Sequence, residues 1–248
     1  MRLALIVFII IHFSSISQNL IDNQGRKQGE WIKYYENSKV PMYKGEFKDD
    51  LPIGKFIYYY PSSKIKAIVI HDDSGRSESF LYHENKNLMA YGIYINQKKD
   101  SIWTHYGPSE RISFSETYQN GVLNGKKIIY YVPEDPYDNK IEISQELNFL
   151  NGRLHGECMD YFPGGILKKK CSYNNGVYNG IVTHYHPSGQ IMLIERWKNR
   201  KPHGWWITYN NQGKEVGRSY YKDGDLLEGE ALKKYMEKLK ELGANPND

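Results

Sequence analysis

The sequence predicts an all-β fold, an elongated twisted antiparallel sheet of about eight stacked β-hairpins of ~24 residues, followed by a C-terminal capping α-helix. Three observations predict it. Runs of about six residues rich in Trp, Ile, Tyr and Val, such as GWWITYN from Gly204, carry the branched and aromatic side chains that strands favour. Asn-Gly, Asp-Gly and Pro/Ser/Gly clusters, such as Pro187-Ser188-Gly189 and Asn211-Gln212-Gly213, separate those runs and supply the positive φ of tight turns. The chain also repeats itself: Gly156, Gly180 and Gly204 are 24 residues apart, and Tyr161, Tyr185 and Tyr209 keep the same step.

Followed upstream, the tyrosine five residues after each start recurs as Tyr34, Tyr59, Tyr82, Tyr106 and Tyr130. The starts then fall at Gly29, Gly54, Ser77, Ser101, Gly125, Gly156, Gly180 and Gly204. Two columns not used to choose this register support it. Seven residues before the next start stand Phe47, Ile70, Tyr94, Tyr118, Phe149, Tyr173 and Trp197, with Tyr221 equivalent at the end. Five before it stand Asp49, Asp72, Asn96, Asn120, Asn151, Asn175 and Asn199, with Asp223 closing the series. The one long unit carries seven extra residues around Pro133 to Lys140, a polar, proline-bearing stretch expected to be an enlarged loop.

A hairpin this short cannot bury an apolar face alone, so each second strand must pair with the next first strand, giving about 16 strands. Corresponding tyrosines would stand about 10 Å apart as a structural ladder on one face. After Gly224 the pattern changes, and Leu232, Met236, Leu239 and Leu242 fall on one side of a helix over residues 228 to 243 that caps the last hairpin. The repeat domain thus spans 18 to 224, with helix and tail over 225 to 248.

At the amino terminus, Met1-Arg2 is followed by eleven mostly apolar residues, Leu3 to Phe13, and by the small residues Ser15-Ile16-Ser17. This is the pattern of a secretory signal peptide over residues 1 to 17, cut near Ser17, and it places the protein outside the cytoplasm, secreted or in the periplasm and envelope. The alternative, a retained anchor, needs about 20 apolar residues to span hydrocarbon. Loss of Arg2 leaves +3 of the formal +4 charge, and no basic run exceeds Lys168-Lys169-Lys170, so the field of a nucleic-acid binder is missing.

The motif G-x-W-x-x-Y-Y-x-x-x-G with a closing Asn-Gly or Asp-Gly, clearest at Gly204 to Gly224 and Gly29 to Asp50, resembles the MORN repeat, and more closely the bacterial MORN-repeat-variant family often labelled as antitoxins. The resemblance covers residues 22 to 224, with Ser77 and Ser101 in place of the leading glycine. It implies a binding or scaffolding module with protein or membrane-surface contacts. An antitoxin role fits poorly with an export signal.

Candidate chemistry is sparse. His184 and His186 flank Tyr185 on a strand, and both rings should emerge on the face opposite the tyrosine ladder, with Asp160 the nearest further ligand at about 10 Å. Their columns are filled elsewhere by unrelated residue types, so no metal site and no cofactor are expected. Cys158 and Cys171 fall on the two strands of one hairpin and are a disulfide candidate. A two-residue turn at Gly164-Gly165 would set them opposite each other, whereas a three-residue turn would put them on opposite faces. The repeating aromatics Trp31, Phe56, Trp103 and Trp206 share the parity of the histidines and are candidates for a binding face, or for packing between hairpins. No catalytic motif is present. An enzyme would have to be assembled on the inserted loop, from Glu134, Asp135, Tyr137 and Asp138. The expected function is non-catalytic binding of a protein or envelope component, with glycan or lipid-headgroup binding as the alternative.

Overall fold

The computed structural model describes residues 18–133, 135 and 137–247, so the expected signal segment lies outside the described residues. The protein is all-β with one C-terminal helix. Its contacts divide between Ser74 and Gly75 into two compact units. The first holds β1 (Leu20–Ile21), β2 (Lys27–Tyr34), β3 (Pro41–Lys48), β4 (Leu51–Tyr59) and β5 (Ile65–His71). The second runs β6 (Arg76–Tyr82), β7 (Leu88–Ile95), β8 (Lys98–Tyr106), β9 (Ile112–Gln119), β10 (Val122–Tyr130), β11 (Ile143–Leu150), β12 (Arg153–Leu154), β13 (Gly156–Tyr161) and β14 (Leu167–Asn174). It continues through β15 (Val177–Tyr178), β16 (Gly180–Tyr185), β17 (Ile191–Lys198), β18 (Lys201–Pro202), β19 (Gly204–Tyr209), β20 (Glu215–Lys222), β21 (Asp225–Leu227) and α1 (Gly229–Glu241).

Every hairpin is antiparallel and opens at an expected start, from Gly29↔Phe47 in the first to Gly204↔Tyr221 in the last. Successive hairpins within a unit also pair, as in β7 with β8 and β14 with β16, so each lends its edge to the next. Among the described residues sixteen long strands form the hairpins, and five segments of two or three residues supplement them.

The loops correct one expectation. Between β13 and β14 the loop is Pro163-Gly164-Gly165, three residues, closed by Phe162 N–H donating to Ile166 O at 2.8 Å and Gly165 N–H to Phe162 O at 3.1 Å. Such a loop alone would put the two strands out of phase. A one-residue bulge restores it: Tyr161 pairs with Leu167 but Asp160 pairs with Lys169, leaving Lys168 over. The same shift follows Tyr34, Tyr59, Tyr82, Tyr106, Tyr130, Tyr185 and Tyr209. The tyrosine column therefore marks the bulge that keeps every hairpin in phase.

A second irregularity sits at the leading residue. Between β7 and β8, Ile93 pairs with Asp100 and Tyr91 with Thr104, so β8 carries two extra residues around Ser101. The equivalent shift surrounds Gly54 and Gly125. The bulge needs positive φ, and the leading glycines at 54, 156 and 180 have φ of 60°, 85° and 82°, whereas Ser101 is held at 58°. Glycine recurs there because it alone adopts this region without a steric penalty. The turn residues behave likewise: Asn96, Asn120, Asn151, Asn175 and Asn199 all lie at φ of 49–51°.

In the short second hairpin Gly54 pairs with His71, not Ile70, so the aromatic column there is filled by the histidine and Ile70 faces the other way. The column counted back from the next start slipped by one because that unit is one residue shorter. The helix ends by the glycine mechanism: Gly243 has φ 62°, and Ala244 N–H donates to Leu239 O at 2.9 Å.

Replacing Ser101 by glycine should stabilise the protein by about 0.5–1 kcal/mol, because the residue is exposed and strained only by its backbone. Urea denaturation checks this, and an unchanged or lower midpoint contradicts the account of the bulge.

Candidate binding face

With the strands in phase, the sheet of each unit has two distinct faces. One carries the leading residues and those two and four places on, together with their cross-strand partners: Trp31↔Gly45, Phe56↔Val69, Trp103↔Glu116, Cys158↔Cys171, Val182↔Glu195 and Trp206↔Ser219. This tryptophan face holds nearly all the buried side chains of the described residues. Its rings lie flat over the neighbouring strand, and glycine makes room for them. A Cβ at Gly45 would fall inside the Phe56 ring, and one at Gly92 inside the Trp103 indole. Where the neighbour is larger, as at Leu147 and Cys171, the residue beside it is the smaller Cys158 or Val182.

The expectation that Trp31, Phe56, Trp103 and Trp206 offer a ligand surface is corrected for two of them: Phe56 and Trp103 are only 2% and 1% exposed. Trp103 packs edge-on against Tyr94, donates its indole N–H to Ile93 O at 3.0 Å and has the Lys99 ammonium 4.3 Å above its ring. The half-buried Trp31 and Trp206 donate to Gln28 O at 3.2 Å and Arg196 O at 3.1 Å, and Trp206 also packs against Trp197 and Tyr221. These rings are the packing layer between hairpins, a role that satisfies both their area and their N–H groups.

Some charged groups of this face are paired with one another, while Ser79 Oγ, His105 Nε2 and His184 Nε2 are buried without a hydrogen-bond partner. Glu116 accepts from Lys127 Nζ at 2.8 Å and from the Tyr118 hydroxyl at 2.8 Å, with His105 Nε2 at 4.0 Å. Burial works to raise the Glu116 carboxyl, but the hydrogen bonds from Lys127 and Tyr118 and the Lys127 charge outweigh it and hold the group below its ordinary 4.5. Burial, and then the charge of Lys99, push His105 below its ordinary 6.5 against the pull of Glu116. The Tyr118 hydroxyl is pushed up to about 12 by burial and by its bond to Glu116.

The histidines that flank Tyr185 part company. His184 sits on the tryptophan face, 3.6 Å from Glu195, and the cross-strand residue between it and Asp160 is Lys169. Lys169 holds the Asp160 carboxylate at 2.7 Å, and Gln145 donates to the same group at 2.6 Å, so that carboxylate is committed to its neighbours. His186 reaches instead to the next hairpin, with Nε2 2.9 Å from Tyr209 O. That contact recurs in its column: His83 with Tyr106 O, Tyr35 hydroxyl to Tyr59 O and Tyr131 hydroxyl to Tyr161 O. A ring donor after the ladder tyrosine thus ties each such loop to the next. Sequence comparison showed the column as chemically mixed, because phenol and imidazole make the same bond with different side chains.

Cys158 and Cys171 are directly cross-strand with Cα atoms 5.0 Å apart, and the structure joins them as a disulfide buried against Leu147, Tyr173, Tyr178 and Trp197.

The tyrosine face is more open. Tyr34 is exposed, and the other ladder residues Tyr59, Tyr82, Tyr106, Tyr130, Tyr161, Tyr185 and Tyr209 are half-buried. By strand alternation the same face carries exposed apolar residues: Leu51 and Ile70 in the first unit, and Ile95, Ile102, Val122, Leu150 and Ile181 in the second. Ile102 and Ile181 are 58% and 52% exposed. Among the described residues, the helix covers this face at the last hairpin. There Tyr220, 1% exposed, packs on Trp205 and on Tyr235 of α1, and its hydroxyl donates to Pro246 O at 2.8 Å. Leu232, Met236 and Leu239 are half-buried and Leu242 is exposed, so the helix rests on a sheet face through part of the expected stripe.

In the inserted loop, Glu134 lies outside the described residues. Asp135 accepts from Tyr137 N–H and Asp138 from Lys140 N–H, both at 2.8 Å, turn-forming contacts of exposed carboxylates, while Lys140 pairs with Glu142. Among the described residues no helix is long and apolar enough to cross a membrane.

Among the described residues, sixteen strands arranged as phase-locked hairpins define a β-hairpin repeat protein. Residues 154–175 and 178–199, two consecutive hairpins, match the family model described as MORN repeat variant. No curated protein matches the chain. Among solved structures, Staphylococcus aureus TarM bound to fondaparinux, alpha-GlcNAc-glycerol and UDP is similar at 14% identity over 56% of this chain and 21% of that one, with a TM-score of 0.25. The TcdB2-TccC3-Cdc42 complex is similar at 10% identity over 84% of this chain and 13% of that one, with a TM-score of 0.20. The chain therefore spans about a fifth or less of the structures it matches.

Two outcomes follow from the tryptophan face. Removing the disulfide as Cys158→Ala/Cys171→Ala should cost about 3 kcal/mol, as expected for a bridge closing a loop of this length. Thiol titration of the unfolded wild type should find no free sulfhydryl until reductant is added. For pH, both His105 and Glu116 bind a proton less readily folded than unfolded. Stability is then fully present above 6.5, falls as pH drops past that value, and falls further below 4.5 as Glu116 protonates. Urea midpoints across this range should decline in the wild type and decline less in His105→Gln/Glu116→Gln. Parallel profiles would remove this cluster as the cause.

Proposed function

We propose that this chain is a non-catalytic binding or scaffold protein of the cell envelope or the space outside it, holding a protein partner on its tyrosine face. The observation that carries this reading is the row of exposed isoleucine, valine and leucine side chains on that face of the second unit, with Ile102 and Ile181 more than half exposed. Branched apolar residues that recur in exposure on one face of successive hairpins supply apolar area for a partner to cover. The tryptophan face, by contrast, spends its rings and charges on internal packing and pairing. Helix α1, resting on Tyr220 of the last hairpin, illustrates the kind of amphipathic surface that fits there. MORN-variant repeats fit a repeat-based binding role. The apolar run from Leu3 to Phe13 with Ser15-Ile16-Ser17 supports export.

The test is crosslinking in the compartment where fractionation finds the protein, with N-terminal sequencing to locate the cut near Ser17. The wild type and Ile102→Asp/Ile181→Asp, matched for circular dichroism and urea midpoint, are then compared. The variant should lose the crosslinked protein partner about tenfold or more. Equal crosslinking by both, or retention only by protease-treated envelope fractions, overturns the reading, the latter in favour of a glycan or lipid headgroup.

A further inference from the structure

One row of the tyrosine face ends under the helix. Ile102, Ile181 and Trp205 each stand one place after a start, opposite Thr117, Arg196 and Tyr220 on the second strands. Ile102 and Ile181 are the exposed side chains on which the binding reading rests. Their counterpart in the last hairpin is the larger Trp205, which packs edge-on against Tyr220. The C-terminal segment lies over that aromatic pair. Tyr235 of α1 packs on Tyr220 with ring centroids 5.7 Å apart, and the tail beyond the helix returns to the same hairpin. There Pro246 O accepts from the Tyr220 hydroxyl at 2.8 Å, and Asn247 Oδ1 accepts from Trp205 N–H at 3.2 Å. Gly204 makes room for the tail, since a Cβ on it would stand 3.3 Å from the Asn247 backbone.

This cover is lightly attached. Helix α1 has 13 residues and no fully buried side chain; Leu232, Tyr235, Met236 and Leu239 are half-buried and Leu242 is exposed. A helix of that length is marginal by itself in water, so its persistence depends on this thin contact. Its first turn is also weakly held: Glu228 at the N-cap contributes no side-chain hydrogen bond, and Gly229 follows at φ 54° with open space around it, a backbone joint free to rotate. Lifting the segment breaks no strand pairing, because β20 keeps β19 on one side and β21 on the other. The start of the first unit shows the contrast. There Asn19 is tied to β2 as a strand would be: its Oδ1 accepts from Ile32 N–H at 2.8 Å, its Nδ2 donates to Ile32 O at 3.1 Å, and its own N–H donates to Glu30 O at 2.9 Å. That end is fastened in the plane of the sheet, whereas α1 rests on a face.

We infer that α1 and the tail to Asn247 form an autoinhibitory latch. Closed, they occupy Trp205 and Tyr220; open, by rotation at Gly229, they add two aromatic rings to the row of Ile102 and Ile181. Tryptophan and tyrosine are the side chains that most often anchor protein interfaces, so a partner that takes the whole row binds the open form and displaces the helix. The inference rests on the tyrosine face being the binding face. The helix is then a competitor for its own sheet, and the partner's apparent affinity is reduced in proportion to the fraction of chains that are open.

Amide hydrogen exchange of the full chain tests the opening without any partner. Amides of 232–242 should exchange at least about tenfold faster than the paired amides of β19 and β20. Tyr235→Ala, and separately Leu239→Ala, should speed the helix further and leave those strands unchanged. Equal rates in helix and hairpin, or strands that loosen together with the helix in both variants, make α1 an integral part of the last hairpin and overturn the inference. The crosslinking described for the proposed function tests the inhibition. At limiting protein concentration Tyr235→Ala should raise the yield of crosslinked partner about tenfold. An unchanged or lower yield overturns the latch even where Ile102→Asp/Ile181→Asp abolishes crosslinking. Failure of the face itself looks different: crosslinking indifferent to Ile102→Asp/Ile181→Asp removes the binding row and the inhibitory role with it, while exchange still reports whether the helix opens.

Discussion

The architecture rests on a phase constraint. Side chains on a strand alternate with a period of two, so one residue too many in a loop would turn a whole strand inside out. Each hairpin turn that ends in Gly189, Gly213 or their equivalents introduces such an excess, and the bulge opposite the ladder tyrosine removes it. Only because the two irregularities cancel do Cys158 and Cys171 meet, and only because they cancel in every hairpin do the rings of one strand find the glycines of the next.

Stability on the tryptophan face comes from pieces fitted to neighbours. Gly92 under Trp103 and Gly45 under Phe56 give up their own side-chain area so that a large ring can lie down, and the ring's burial offsets the loss. In the stretch from Leu147 to Val182 medium-sized residues and a disulfide fill the same layer. Between these regions the layer is ionic, with Glu116 held by Lys127 and Tyr118. A half-buried charge such as that of Glu116 is tolerable because it has partners in Lys127 and Tyr118.

Much of this was legible in the residues. The period, the eight starts and the Asn and Asp turns other than Asp72, which slips by one with Ile70, emerge in the structure where spacing placed them, since each depends on local backbone chemistry that a residue type reports. The helix spans Gly229–Glu241, inside the expected 228 to 243. Other features were opaque. The aromatic column was misassigned to Ile70 because its register depends on unit length. The loop-to-loop bonds of Tyr35, His83, Tyr131 and His186 were hidden by their differing chemistry. Asn19 gave no signal at all, since an amide that imitates a strand is recognisable only beside the peptide it pairs with.

By itself the sequence determined the hairpin, its period and its turns, because φ preference and side-chain alternation act over a few residues. Tertiary structure alone decided which face is core and which is open, since burial is a property of neighbours: the same tryptophan spacing would suit either, and glycines on adjacent strands settled it. It decided likewise that α1 rests on the last hairpin's tyrosine face, because contact between distant segments depends on which surface remains uncovered once the strands have paired.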